Sequence, residues 1–557
     1  MKSIFDRFIN ANPAMFVFFA AVGSLCCIIS KNENFFDFAN YHYYNAFAFL
    51  NDRMNHDIVP ASVNTFFNPL LDLPLYLIIR YFNDNLTAAY ALQGLWFGFL
   101  LFAFFKIASL FFDLRTREGR VFVLLACAIA ATGPMTWFQA GSSTNEIQVA
   151  FFVLTGLYLL LKMIKYRQLQ NKYTFLLSGL ILGAVLGLKP TAVTAAVAAG
   201  IALIICRRHL KRPLLFILFF AGGGLAGFLL TNGWWMYKLY SLYENPFFPF
   251  FNGIFHSPYF DDFNYSDRRF IPPLKLALFC PYLSKVSHYC HAGTYFTDLR
   301  FPLYYSLVVG AAVWLVCRPR RLKAFFLGRR AWFMLFVFML LNYVLWLAFF
   351  AIQHYLVVWE MLGALLTIKF ISLYRPRQSN VKFILYYTAA TILCGILLIT
   401  PFIDGGFGNR RSDNKMIDVS PVVLPPGTLL KLYNLPLAGI IPLWAQNNDF
   451  RALGYMQFFD DLHMRGSDLD ERGKFREMRD EIEKTHTGPV VVLFRMPVQK
   501  APFSIIMRAM APELNGKNCH ILPSSFAPIF SQHIYVCVPK ELENFIFGQK
   551  THFEPAR

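Results

Sequence analysis

Residues 14–30 pass without a single charged side chain, and apolar runs of similar length recur near 87–105, 119–137, 147–164, 174–187, 190–206, 213–232, 301–317, 332–350, 355–372 and 381–400. A run of about 20 apolar residues matches the hydrocarbon thickness of a bilayer. So many runs in one chain leave too little polar surface to cover them in water. The expectation is an all-α polytopic membrane protein with eleven transmembrane helices, and an ordinary soluble fold is excluded. Composition agrees: charged residues make up 15% of the chain, where a soluble domain carries about 25%.

The net charge of +19 is a topology signal rather than a nucleic-acid footprint, because the basic residues sit in short clusters between apolar runs. Segments linking alternate runs hold 23 Lys and Arg, among them Arg115, Lys165, Arg208 and Arg320, against only Asp6, Asp113 and Glu118. The positive-inside rule then places the N-terminus in the cytoplasm and, the span number being odd, the C-terminus outside. The first run lacks a small-residue cleavage site and is read as a span. Three stretches remain outside: 31–86, 233–300 and the tail from about 402. Within the first, FNPLLDLPLYLIIRYF (67–82) is too short and Pro-rich to span, so it is expected to lie at the interface. The tail carries a charged helical stretch with Asp468, Asp470, Glu471, Glu477 and Glu481, then the strand-like PVVVLF (489–494). The expected division is a membrane domain over 1–401 and a small external α/β domain over 402–557.

Of ten cysteines, four fall in the expected external segments as two local pairs. Cys280 with Cys290 and Cys519 with Cys537 are candidate disulfides in an oxidising compartment, with free or buried thiols as the alternative. The other six lie in or beside spans and read as small packing residues.

Ionisable residues at the outer ends of spans are the candidate chemistry. In FFDFANYHYYNAFAFLNDR, Asp37 opens an aromatic helix in which α-helical spacing sets Tyr41 and Tyr44 on the same face; a plain helix-capping role is the alternative. GSSTNEIQ (141–148) brings Glu146 to the outer surface, and LKPTA (188–192) brings Lys189 there, where Pro190 separates two helices. IQHYLVVWE (352–360) puts His354 at the outer mouth and Glu360 about 9 Å deeper. Snorkelling without function is the alternative for Lys189 and His354.

In this order, the early acid with Tyr four residues on (Asp37, Tyr41), then DIVPA (57–61), the Pro-containing FNPLLDLPLYL, Glu146 and the Lys189-Pro190 turn resemble the membrane-embedded glycosyltransferases of the C-type fold. The transferases that add aminoarabinose to lipid A and the protein O-mannosyltransferases are nearest in pattern. ENPFFPFFNGIF (244–255) resembles an Asn-Pro-aromatic motif of bacterial relatives. The resemblance covers 14–206 by motif and 207–400 by layout. It implies a sugar donor on a polyprenyl phosphate, a membrane groove for the lipid tail, and an active site on the periplasmic face of the bacterial inner membrane. Asp37 would be the general base and Glu146 a second acid. Lys189 would neutralise the donor phosphate, with His354, Arg268 and Arg269 as further candidates, and Tyr41, Tyr44, Asp57 and Asn68 would line the site. Two departures stand out: Asn68-Pro69 replaces the juxtamembrane Lys-Pro of the lipid A transferase, and Asp37-Phe38 replaces its Asp-Glu pair.

These residue types suit the chemistry. Displacement of a glycosyl phosphate needs a carboxylate for the nucleophile and a cation for the departing phosphate. No nucleotide sugar is implied, because the cytoplasmic loops are short and hold no Gly-rich phosphate loop. Related oligosaccharyltransferases use a divalent metal, but the lone acid at 37 disfavours one here. A glycan, lipid or protein on the periplasmic side would be the acceptor, with membrane lipids as surroundings and no nucleic-acid partner. The 62 Phe and 27 Tyr exceed what lipid-facing helices need and fit a groove for a long apolar ligand. A polymerase or ligase of lipid-linked polysaccharide is the alternative among enzymes. A transporter or flippase is the alternative from another class, though the chain lacks the internal repeat that class favours.

Overall fold

The computed structural model describes residues 12–32, 35–283, 289, 299–373, 390–398, 415–433, 436–446, 449–455, 473–497, 512–524 and 532–547. Among these, seven helices are long and apolar enough to cross a membrane: Asn12–Ser30, Leu86–Phe111, Glu146–Lys165, Pro190–His209, Pro213–Tyr243, Arg330–Phe349 and Gln353–Ser372. An eighth is added if Arg300–Val316 and Pro319–Phe325, bent by 115° at Pro319, count as one span. The expected eleven included three further runs. Helix Arg117–Ala131 has 15 residues, because Gly133 and Pro134 interrupt the apolar stretch. Lys172–Leu188 has 17, ending where Pro190 restricts the residue before it. Most of 381–400 lies outside the described residues.

The chain forms two compact units. The first gathers residues 1–33, 90–233 and 267–410 and holds the apolar helices. Its first two helices touch backbone to backbone: a Cβ on Gly23 would stand 2.3 Å from the Gly98 amide nitrogen, and one on Gly98 would stand 2.5 Å from the Phe19 carbonyl. Only glycine permits that approach, the usual way helices pack where lipid removes a hydrophobic drive.

The second unit gathers residues 34–89, 234–266 and 411–557. The 31–86 segment, assigned by sequence to the membrane domain, thus packs mostly with the tail. At its centre is a five-stranded sheet of order β2-β1-β3-β5-β4, with β1 Thr428–Tyr433, β2 Phe450–Tyr455, β3 Val490–Pro497, β4 Lys517–Ile521 and β5 Gln532–Pro539. Strands β1, β2 and β3 run parallel and β4 and β5 antiparallel. Parallel pairing needs crossovers, and helix Lys474–Thr485 supplies one before β3. That helix carries Glu477 and Glu481, whereas Asp468, Asp470 and Glu471 lie outside the described residues. Strand β2 is an edge, and its partner is the DIVPA segment: the Ile58 amide donates to Ala452 O at 2.9 Å and the Gly454 amide to Ile58 O at 2.8 Å. Edge backbone groups otherwise open to solvent are so satisfied. Phe66, Trp235, Tyr243, Phe248, Leu453 and Phe475 share one core across all three chain segments of the unit.

Cys519 and Cys537, register partners on β4 and β5, form a disulfide. Cys280 is disulfide-bonded, while Cys290 lies outside the described residues. Residues 69–82 form a short turn, Pro69–Leu71, and a helix, Leu73–Phe82. That helix buries Leu75, Tyr76 and Ile79 on one face and leaves Leu77 and Tyr81 exposed.

Candidate functional site

Apart from Arg268 and Arg269, the sequence-derived site residues fall into two constellations, one in each unit.

In the second unit Asp37 ends a single α-turn, Phe35–Asp37, that runs into a π-helical turn, Phe38–His42, and then helix Tyr43–Leu50. A π-turn closes its hydrogen bonds one residue later than an α-helix, and such turns gather at functional sites. This corrects the expected face. The added residue rotates the chain beyond it, so Tyr44 no longer falls beneath Asp37, and its hydroxyl instead donates to Asp57 Oδ2 at 3.0 Å. Asp37 makes no side-chain cap to the π-turn. It is half-buried, while Phe38 through Ala48 are all buried. A carboxylate at the rim of a packed segment is held in place and still reachable.

Two acids fix the segment. His42 Nδ1 donates to Asp72 Oδ1 at 2.6 Å, both side chains being 3% exposed or less. Tyr41 lies beside His42 with ring centroids 4.0 Å apart and planes tilted by 39°, and meets Phe67 edge-on. Asn68 accepts from the Leu70 amide at 3.1 Å, capping the turn that leads to Asp72. Asp57 receives Arg53 through both oxygens at 2.8 Å and the Ala452 amide at 2.9 Å. Burial would raise the Asp57 carboxyl, but hydrogen bonds from His56 and Arg53, the Arg53 charge and the Ala452 amide outweigh it and hold the group below the usual carboxylate range. Tyr44 is pushed well up, by burial first and the adjacent Asp57 charge second. Asp57 and Asn68 therefore build the segment that carries Asp37. His42 and Asp72 escaped the sequence reading; a His and an Asp 30 residues apart leave no spacing signal.

In the first unit Lys189 and Glu146 form an ion pair. Lys189 is the C-cap of helix Lys172–Leu188, and Glu146 begins helix Glu146–Lys165, where a carboxylate complements the helix dipole. The Lys189 ammonium also stands 5.9 Å from the centre of the Tyr355 ring, whose neighbour His354 packs edge-on against it at 4.5 Å. Sequence reasoning gave Lys189 and Glu146 separate roles; the structure pairs them. Glu360, 2% exposed, accepts from the Thr136 amide at 2.9 Å and the Thr136 hydroxyl at 2.8 Å. It clasps the turn Pro134–Trp137, and Gln139 carries the contact on to the His354 carbonyl at 3.0 Å. Arg269 is taken up by Asp267 at 2.8 Å, and Arg268 is exposed. Among the described residues no group of three His, Cys, Asp or Glu side chains is arranged to hold a metal.

Compared over its whole length, the chain superposes on the crystal structure of ArnT from Cupriavidus metallidurans in the apo state, with a TM-score of 0.51, covering 94% of this chain and 97% of that one. The chain shares the fold of ArnT. Sequence identity to ArnT is 12%, so the likeness is one of fold. No protein-family model matches the chain, and no curated protein does.

Proposed function

We propose that the protein is a glycosyltransferase that moves a monosaccharide from a polyprenyl phosphate to an acceptor hydroxyl on the external face of a bacterial inner membrane. The observation that carries this reading is the ArnT fold over 94% of the chain, together with a half-buried carboxylate, Asp37, at the start of a buried segment. Asp37 takes the proton of the acceptor hydroxyl as that oxygen attacks the anomeric carbon. The bond to phosphate breaks on the opposite face, which inverts the centre, and the phosphate leaves as an anion. Lys189, in the first unit, is the cation that the sequence pattern assigns to a donor phosphate. An ammonium acts on phosphate as a point charge, and the donor phosphate competes with Glu146 for it. His354, beside Tyr355, is a second donor within the same constellation.

Native mass spectrometry of the protein purified in detergent tests the reading. A co-purified polyprenyl-phosphate sugar, at a mass that identifies the monosaccharide, is the expected result. Protein that never carries such a lipid from cells rich in it contradicts the proposal.

A further inference from the structure

The geometry points to Gly439 as a positioning residue for Asp37, making the tail domain part of the catalytic scaffold; this rests on the base role proposed for Asp37. Residues Leu437–Ile441 form a tight turn between β1 and β2 in which Leu437, Ala438, Ile440 and Ile441 have no exposed surface. The turn packs on the π-helical segment Phe38–His42. A Cβ added at Gly439 would stand 2.9 Å from the Ala39 carbonyl oxygen, 3.0 Å from its Cα and 3.2 Å from its carbonyl carbon. All three are backbone atoms. A side chain in the way can rotate, but a backbone segment must move as a body, and Ala39 lies two residues after Asp37. Gly439 itself is not among the residues in the left-handed region, so a substituted residue meets no strain in its own backbone. Any effect is transmitted through Ala39.

The rest of the first segment leaves little room to absorb the push. His42 is tied to Asp72, Tyr44 to Asp57, and Asp57 to the Ala452 amide on β2. Downstream of the π-turn the chain is held on the same domain that carries Gly439, and Asp37 lies two residues upstream of Ala39, the residue that a Cβ would press on. Restoring ordinary van der Waals distance requires a shift of somewhat under 1 Å, and misplacing a catalytic group by about 1 Å costs on the order of 100-fold in rate.

The test uses full-length protein in detergent, wild type against Gly439→Val and Gly439→Ala, with polyprenyl-phosphate lipid extracted from the expression host as the donor probe. Hydrogen exchange at amides 38–42 reads the π-turn directly, and kinetics read the base. Gly439→Val is expected to speed exchange there by about tenfold and to lower kcat by on the order of 100-fold with donor KM unchanged; Gly439→Ala is expected to show the same changes in smaller measure and remains the test if the valine variant does not fold. The double variant Cys519→Ala, Cys537→Ala, which loosens the tail at β4 and β5, is expected to lower Tm without lowering kcat. Wild-type exchange at 38–42 in both glycine variants, or raised exchange with wild-type kcat, overturns the inference. Asp37→Asn run alongside separates the two readings: if it turns over like wild type, the base role is what fails, and the exchange data alone decide whether Gly439 holds the turn.

Discussion

Lys189 and Glu146, 43 residues apart in the chain, form an ion pair between the end of one helix and the start of another. Their side chains are 15% and 7% exposed. A pair so placed satisfies the lysine, and under the proposed function a donor phosphate competes with Glu146 for it.

Lys189→Ala should therefore lose donor lipid. A charge-assisted contact to phosphate contributes about 1.5–3 kcal/mol, which corresponds to roughly 10- to 100-fold weaker retention. Lys189→Arg should keep part of it. Glu146→Gln should raise retention, because the competing carboxylate is gone. The fraction of protein carrying lipid in native mass spectra measures all three, and wild-type retention in Lys189→Ala would return the lysine to a snorkelling role.

Asp57 sets an acid limit on the second unit. Its carboxyl is held below the usual range in the folded protein, so the unfolded chain binds the proton more readily. The resulting stability is fully present above the unfolded value near pH 3.9 and is lost as pH falls through the lower folded value. Asp57→Ala leaves the half-buried Arg53 guanidinium and the Ala452 amide without their carboxylate, at a cost of about 1–3 kcal/mol. Thermal unfolding from pH 3 to pH 7 should show a lower Tm for the variant at pH 7 and a smaller difference at pH 3. A constant difference across that range would contradict the assignment.

Glu360 clasps the Thr136 turn from inside the helical unit. Glu360→Ala strands the Thr136 amide and hydroxyl, and a buried polar group without a partner costs about 1–3 kcal/mol. Tm should fall, and lipid retention with it, since Gln139 links this turn to the His354 segment beside Lys189. Unchanged lipid retention would confine Glu360 to a purely local role.

The basic clusters of the sequence make a further expectation. A reporter fused after Arg557 should be active only outside, and one inserted after Arg320 only in the cytoplasm. A cytoplasmic C-terminus would reverse the sidedness of every site residue.

Much of the helical architecture was legible in the sequence because lipid demands long uninterrupted apolar runs, and the runs at 14–30 and 147–164 stand as helices. Run length was less legible. Arg117–Ala131 stops at Gly133-Pro134 although the hydropathy continues. Within the two constellations, Asp37, Glu146 and Lys189 each carried a local signal of charge beside an apolar run. The pairings did not, since the contact of Lys189 with Glu146 and of His42 with Asp72 depends on how the chain packs. The π-turn at Phe38–His42 was hidden for a related reason: an added residue in a turn leaves hydrophobic periodicity almost intact over one segment while rotating Tyr44 away from Asp37 and toward Asp57.

The central claim is that Asp37 is the base for transfer from a polyprenyl-phosphate sugar, and Asp37→Asn tests it most directly. A general base contributes about 10²- to 10⁴-fold to rate, and the substitution leaves the shape of the side chain intact. Glycan product should be quantified by mass spectrometry in cells carrying either chain, with the lipid bound to each purified protein measured in parallel. The account predicts an Asp37→Asn protein that folds, retains its lipid-linked sugar and forms no product above background; product at the wild-type level would contradict it.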